Sequence, residues 1–270
     1  IKCSVRMYAD DVVIYTDVVS NTESCLNLQT DLDALLQWCE KWKMSVNVKK
    51  CAIMRMSRNR NAVIPKYFLN DTPVPVVEHF KYLGVYMSNT CSWQKHIQHV
   101  TSRGNQMLRF IKRNFMGCPQ SVKETVYISL IRPLLEYASS VWDPSAEGMK
   151  HDIEMVQRRA VRFALNNYRR ESSVSDMLST IGWDTLEHRR KVARLCHMFK
   201  FYDSSRPDIE NIILRPNYIG RNDHPKKIRR IQSRLLPYHN SFFPKTIREW
   251  NQLSVDLVTK ETVNDFKAMF

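Results

Sequence analysis

Hydrophobic positions change their period several times along this chain, and each change predicts an element. Ile1 to Met7 alternates apolar with polar residues as a half-buried strand does. Val12 to Tyr15 is an unbroken β-branched and aromatic run that suits a strand buried on both faces. Between them a tight turn would present Tyr8-Ala9-Asp10-Asp11, so the first fifteen residues read as a β-hairpin. Ser20-Asn21-Thr22-Glu23 has the form of a capping box. Leu28, Leu32, Leu35, Cys39 and Trp42 then recur at helical steps, which predicts an amphipathic helix of about six turns lying across the back of the hairpin. From Ser45 to Ser57 the alternation is strand-like again, and Ser57 to Asn61 is polar and turn-like. Tyr67–Asn70, Val74–Val77 and Phe80–Met87 read as short strands, the first two joined by a turn at Asp71-Thr72-Pro73.

Beyond about residue 90 the period becomes helical. Trp93, Ile97, Val100, Met107, Leu108 and Ile111 share one face, while Lys95, Arg103, Arg109, Lys112 and Arg113 lie mainly elsewhere. Val122, Val126, Leu130 and Ile131 open a second helix that Pro133 should kink or end. Ile153, Val156, Ala160 and Phe163 mark a third, studded with Arg158, Arg159 and Arg162. Asp184 to Tyr202 suggests a fourth through Leu186, Val192, Leu195 and Phe199. From Arg206 to Lys245 periodicity gives way to Pro207, Pro216, Pro225, Pro237 and Pro244, and the stretch also carries Arg221, Lys226, Lys227, Arg229, Arg230 and Arg234. That stretch reads as an extended basic arm or loosely ordered tail, with a plain linker as the alternative. Phe243–Trp250 and Val263–Phe270 return as short helices. The fold class is therefore α+β, a small hairpin-rich part followed by an all-α bundle and a basic, partly irregular end.

The candidate chemistry sits in the first hairpin. Two adjacent carboxylates repel each other and stay ionised together most easily when a divalent cation binds them, so Asp10 and Asp11 read as a metal platform for phosphoryl or nucleotidyl transfer. The plain alternative is a chance turn, since Asp is common in turns for local hydrogen-bonding reasons.

Charge sharpens the picture. The 270 residues carry a net charge of +14. Residues 1–90 hold 11 basic and 9 acidic side chains, and residues 91–270 hold 30 and 18. The excess lies away from the carboxylates, on the predicted helices and the proline-rich segment, where a polyanion is the natural partner. An ordinary solvated helical surface is the competing account.

Hydrophobic content of 43% supports a real core. No run approaches the length of a membrane span and no secretion leader is visible, so an intracellular location, nuclear or cytoplasmic, is expected. The seven cysteines are scattered, odd in number and without a Cys-x-x-Cys pair, as in a reducing compartment. Cys91, His96 and His99 lack an evident fourth ligand for zinc, and solvated histidines are the simpler reading. The chain opens on Ile, which suggests a piece of a longer polypeptide.

Several segments, taken together and in order, resemble the reverse transcriptases of non-LTR (LINE-type) retrotransposons. They are Tyr8-Ala9-Asp10-Asp11, Asn47-Val48-Lys49-Lys50-Cys51, Phe80-Lys81-Tyr82-Leu83-Gly84-Val85, and Leu130-Ile131-Arg132-Pro133-Leu134-Leu135-Glu136-Tyr137-Ala138. Trp142-Asp143-Pro144, Val156-Gln157-Arg158-Arg159-Ala160 and Arg248-Glu249-Trp250-Asn251 continue the likeness. The resemblance implies the rear of a polymerase palm over 1–90, a helical thumb over 91–170 and a basic C-terminal extension over 171–270. It implies Mg²⁺, with Mn²⁺ as a substitute, on Asp10 and Asp11. Lys50, or Lys49 in its place, would protonate the departing pyrophosphate. Tyr8, Phe80, Lys81, Tyr82, Leu83 and Gly84 would meet primer and template.

On the same reading, Arg103, Arg109, Lys112, Arg113, Arg158, Arg159, Arg162, Lys226, Lys227, Arg229 and Arg230 would follow a nucleic-acid backbone. RNA template, DNA primer and dNTP are the implied partners, and no membrane is involved. The family's remaining palm Asp, its fingers and any endonuclease would precede Ile1, so residues 1–270 are expected to be inactive by themselves. A non-catalytic nucleic-acid-binding module or transposon remnant is the alternative. The pattern specifies no oligomeric state.

Overall fold

A computed structural model of the chain describes residues 2–17, 23–57, 65–202, 204, 206–207, 209–221 and 223–270. The chain divides into two compact units, Ile1–Cys91 and Ser92–Phe270. No compact-unit boundary falls near residue 170, where the sequence reading divides the helices from a C-terminal extension.

In the first unit β1 (Ser4–Tyr8) and β2 (Asp11–Tyr15) pair antiparallel, with Tyr8 opposite Asp11 and Met7 opposite Val12. The loop is two residues long, and Ala9 takes the left-handed φ of 52° that so tight a connection demands. Val12 and Tyr15 are exposed, and Val13 and Ile14 only half-buried, so β2 is not the doubly buried strand its composition suggests. A ribbon of two strands has no layers to close over both faces.

Helix α1 (Glu23–Lys41) follows; the capping box at Ser20-Asn21-Thr22-Glu23 lies largely outside the described residues. Leu28, Leu32 and Leu35 are half-buried and Cys39 is buried, but Trp42 falls just past the helix and stays exposed. The helix ends in a Schellman motif. Met44 N–H donates to the Cys39 carbonyl at 2.8 Å and Lys43 N–H to that of Glu40 at 3.0 Å, with Lys43 at φ 57°.

Two polar side chains of α1 dock strand ends. The buried Asp31 carboxylate accepts the Lys2 N–H at 2.9 Å on each oxygen and the Cys3 N–H at 2.6 Å. Gln29 accepts from the Phe68 N–H at 2.9 Å and donates to the Phe68 carbonyl at 3.0 Å, as a neighbouring strand would.

Ser45–Ser57 does not form the strand its alternation predicts. Val48–Lys50 closes a 3₁₀ turn through Lys50 N–H to Asn47 O and Cys51 N–H to Val48 O, both at 3.0 Å. Beyond it Ile53 alone bridges Val76. Local turn bonds win where no strand runs alongside.

Two short hairpins complete the unit. β3 (Phe68–Leu69) pairs with β4 (Thr72–Pro73), and β5 (His79–Tyr82) with β6 (Val85–Ser88). Both have two-residue loops with positive φ at each position: Asn70 (48°) and Asp71 (59°), Leu83 (44°) and Gly84 (82°). That is the backbone of a type I′ turn. The first turn is thus Asn70-Asp71, one residue earlier than the sequence suggests, because Asn and Asp tolerate the left-handed region and Thr does not. The described strands form three separate two-stranded ribbons.

The second unit is helical. It comprises α2 (Gln94–Asn114), α3 (Gln120–Val126), α4 (Arg132–Glu136), α5 (Ser139–Trp142), α6 (Glu147–Ala164), α7 (Val174–Thr180) and α8 (Leu186–Tyr202). Four short helices end it: α9 (Leu236–His239), α10 (Phe242–Trp250), α11 (Val255–Val258) and α12 (Val263–Lys267). A π turn at Tyr127–Ile131 carries α3 into α4 and absorbs the donor that Pro133 lacks. At Gly104 a Cβ would stand 3.1 Å from both Leu135 Cδ2 and Val156 Cγ1, so the missing side chain lets α2 lie close against α4 and α6. His96 is buried with its ring 5.0 Å from that of Trp142, not solvated as the sequence reading has it.

The described residues between 206 and 235 hold little regular structure but are not a loose tail. Trp250 Nε1 donates to Lys226 O at 2.8 Å, and Asn251 accepts from Ile228 N–H at 2.9 Å while donating to Ile228 O at 2.7 Å. His224 and Ile228 are buried, Ile228 in a core with Leu195, Met198, Phe199, Ile247, Trp250, Val258 and Phe266.

Candidate functional site

The β1–β2 loop presents the acidic pair as its sequence predicts. Asp10 is in the turn and Asp11 begins β2 directly across from Tyr8; all three are exposed. Neither carboxylate has an ion pair among the described residues. The register puts Arg6 on the face shared by Tyr8 and Asp11, but its guanidinium lies 6.0 Å from the Tyr15 ring and Nη1 donates to Val5 O at 2.9 Å. Two exposed, unpaired carboxylates on adjacent residues suit one flank of a cation site. No group of three or more His, Cys, Asp or Glu side chains able to hold a metal occurs among the described residues, so they do not form a complete octahedral set. Asp31, the clamp of α1 on β1, positions the ribbon. Burial alone would raise its pKa, yet the Cys3 and Lys2 N–H groups outweigh that and hold the carboxyl below the ordinary range.

Lys49 and Lys50 are exposed on the 3₁₀ turn. Phe80, Lys81 and Tyr82 lie on β5, with Leu83 and Gly84 forming the turn that follows. Lys81 Nζ stands 5.5 Å over the ring of its cross-strand partner Tyr86, which carries the cation out along the hairpin's surface. The φ of Gly84 is one that favours glycine, so a backbone requirement accounts for this residue.

In the second unit three expected cations come together. Asn105, Leu108, Arg109 and Lys112 of α2 line a groove with Arg159 of α6, whose Nη1 donates to Asn105 Oδ1 at 2.9 Å. Burial, and then the charge of Arg159, push the Lys112 pKa down, and its Nζ lies 5.5 Å over the Tyr168 ring. Like charges drawn together without a carboxylate make a seat for anionic oxygen. Arg103, Arg113 and Arg158 are exposed nearby in sequence.

Other expected contacts are taken up internally. Arg162 donates to Arg169 O at 2.9 Å and reaches Asn167 O and Ser172 O, fixing the loop after α6. Lys226 Nζ lies between the Phe199 and Tyr202 rings at 5.5 and 5.4 Å, and Lys227 is ion-paired with Asp223. Arg229 and Arg230 remain exposed.

The sequence reading missed a framework built on α8. Arg189 pairs with Glu136, Arg190 and Arg194 pair with Asp143, and Arg194 also holds Glu249, with Oε2 at 2.6 Å. Lys245 Nζ adds a third cation to Asp143 at 2.6 Å. Gln157 accepts the buried Tyr127 hydroxyl at 2.6 Å and donates to Asp184 O at 2.8 Å. Each of these acids and the Gln belongs to a segment that carries the family resemblance, and that was the available signal.

The carboxylate-bearing hairpin lies inside the one stretch that a family model matches. Residues 1–87 match the family described as reverse transcriptase (RNA-dependent DNA polymerase). The chain is 27% identical over 165 residues to an RNA-directed DNA polymerase from mobile element jockey of Drosophila melanogaster, covering 58% of this chain and 18% of that protein. It is 21% identical over 164 residues to a probable RNA-directed DNA polymerase from transposon X-element of the same fly, covering 60% of this chain and 18% of that protein. It is 24% identical over 192 residues to a retrovirus-related Pol polyprotein from type-1 retrotransposable element R1 2 of Nasonia vitripennis, covering 67% of this chain and 46% of that protein. No solved structure matches. Over part of its length the chain is thus similar to RNA-directed DNA polymerases of mobile elements, and it spans about a fifth of the length of the jockey polymerase. No described helix is long and apolar enough to cross a membrane.

Proposed function

We propose that this chain is part of a reverse transcriptase that copies retrotransposon RNA into DNA, with the palm's catalytic turn at Tyr8-Ala9-Asp10-Asp11. The observation that carries the reading is the hairpin loop, where Asp10 and Asp11 stand exposed and without an ion pair among the described residues, inside the segment that matches the family. Their carboxylates would supply part of the ligand set for Mg²⁺, or Mn²⁺ in its place. Such ions lower the pKa of a primer 3′ hydroxyl and steady a triphosphate. Tyr8 and the β5–β6 hairpin, with Phe80, Lys81, Tyr82, Leu83 and Gly84, would rest against the primer. Lys50, or Lys49, would face the leaving group. The α2–α6 groove would hold template–primer phosphates through Arg109, Lys112 and Arg159, as a thumb does.

Two adjacent carboxylates do not make an octahedral two-cation site, so residues 1–270 alone are proposed to be inactive. Primer extension on an RNA template by a polymerase containing these residues should disappear in Asp10→Asn and in Asp11→Asn. Extension that persists in both variants overturns the reading. Product from purified residues 1–270 with Mg²⁺ and four dNTPs, lost in Asp10→Asn, overturns only the inactivity.

The groove by itself favours a second reading, a nucleic-acid-binding module without catalysis. Salt-dependent binding without any polymerisation, indifferent to Asp10→Asn and Asp11→Asn, would select it.

A further inference from the structure

We propose that residues 214–221 and 223–230 form a seat for single-stranded nucleic acid, with Tyr218 stacking on a base and Arg215, Arg221, Arg229 and Arg230 taking the flanking phosphates. The loop is folded back on itself. Arg229 N–H donates to Leu214 O at 2.7 Å, and Arg229 Nη2 donates to Asn217 Oδ1 at 2.6 Å, which brings the two cationic stretches side by side. Gly220 N–H donates to Asp223 Oδ2 at 2.7 Å and holds the bend between them. Its base is fixed by Trp250 and Asn251 through Lys226 O and both backbone groups of Ile228. A rigid base under an exposed rim lowers the ordering cost of binding.

On that rim Tyr218 is 80% exposed, a large aromatic side chain with no apolar reason to be there. Arg215, Arg221, Arg229 and Arg230 are all exposed and without an ion pair among the described residues. Between residues 211 and 235 the sequence has seven basic side chains and one acidic one, Asp223, which is already paired with Lys227. The loop therefore offers an unneutralised cationic rim around one bare ring. Unstacked bases have accessible faces for such a ring, whereas those of a duplex are covered. The ring takes base faces and the cations take phosphates, both of which RNA and DNA single strands share, so either is a ligand for it.

The inference deepens the nucleic-acid part of the proposed function but uses neither Asp10 nor the α2–α6 groove. Fluorescence anisotropy of residues 1–270 with labelled (U)₁₂, (dT)₁₂ and a duplex of equal length tests it across a salt series. The expected result is that Tyr218→Ala weakens both single strands roughly tenfold with the salt slope unchanged, while Tyr218→Phe binds as the parent does. Arg229→Gln should lower the single-strand slope by about 0.7. Thermal melting of Tyr218→Ala should match the parent, since the side chain is exposed. Single-strand affinity unchanged in Tyr218→Ala overturns the seat, as does an equal loss of duplex binding. Loss of this seat with duplex binding retained leaves the polymerase reading standing.

Discussion

Arg190 Nε donates to Asp143 Oδ1 at 2.7 Å with both side chains withdrawn from water. Asp143 also receives Arg194 and Lys245, so one carboxylate from the turn after α5 gathers cations from α8 and α10. Glu249 takes the outer edge of Arg194. Charges this deep are tolerable only while paired, and one carboxylate here answers three cations. Asp143→Ala is therefore expected to destabilise the Ser92–Phe270 unit by about 3–5 kcal/mol. Lys245→Met, which leaves Asp143 two partners, should cost about 1 kcal/mol. Urea unfolding followed by tryptophan fluorescence measures both. Equal losses would show that the carboxylate is not the centre of the network.

The same carboxylate sets an acid limit. Burial would raise the Asp143 pKa, but Arg194, then Lys245 and Arg190, outweigh it and hold the group below the usual carboxylate value. The native group then takes up its proton later than the unfolded one as pH falls. The unfolded state binds more protons below about pH 4, so the contribution is complete above that pH and is lost as pH falls through the native pKa. Urea midpoints for the helical unit should stay level from pH 7 to about pH 4 and then drop. Asp143→Asn should start lower and show a shallower acid limb.

How much of this was legible follows the range of each interaction. The turn that bears Asp10 and Asp11 is encoded by its own flanks, two β-rich runs separated by two residues, so it can be read directly. The faces of α2 and α6 follow from the spacing of Ile97, Val100, Leu108 and Ile111 and of Ile153, Val156 and Ala160. The Arg190–Asp143 pair spans 47 residues and leaves no local period. Arginines on α8 look like any solvated helical face, as do Arg162 and Lys226, whose partners are carbonyls and rings supplied by distant folding. Ser45–Ser57 fails for the converse reason: its alternation is real, but a strand also needs a partner, and only Ile53 finds one.

Asp31 ties the ribbon to α1 by accepting N–H groups of Lys2 and Cys3. Removing that acceptor strands two donors at the root of β1. Asp31→Ala is expected to cost about 1–3 kcal/mol in the first unit and to speed amide exchange across Ser4–Tyr15 more than across the β5–β6 hairpin. Hydrogen exchange resolved by peptide gives the comparison. Uniform acceleration over the unit would mean that Asp31 supports α1 generally and not the ribbon.

Arg159 and Arg162 sit three residues apart on α6 and should behave oppositely. Arg159 opens onto the groove with Arg109 and Lys112, held by Asn105 and by no carboxylate among the described residues, so its charge is available to a phosphate. Arg162 spends its donors on the carbonyls of the loop behind α6. Arg159→Gln should weaken duplex binding about equally for all sequences and reduce the slope of log affinity against log salt by about 0.9, with the melting temperature nearly unchanged. Arg162→Gln should lower the melting temperature by several degrees, about 1–2 kcal/mol for lost bonds to a charged group, and leave the salt slope alone. If Arg162→Gln changed the slope and Arg159→Gln did not, the α2–α6 groove would lose its claim to the backbone, because the only cation then shown to meet phosphate would be the one the fold has already occupied.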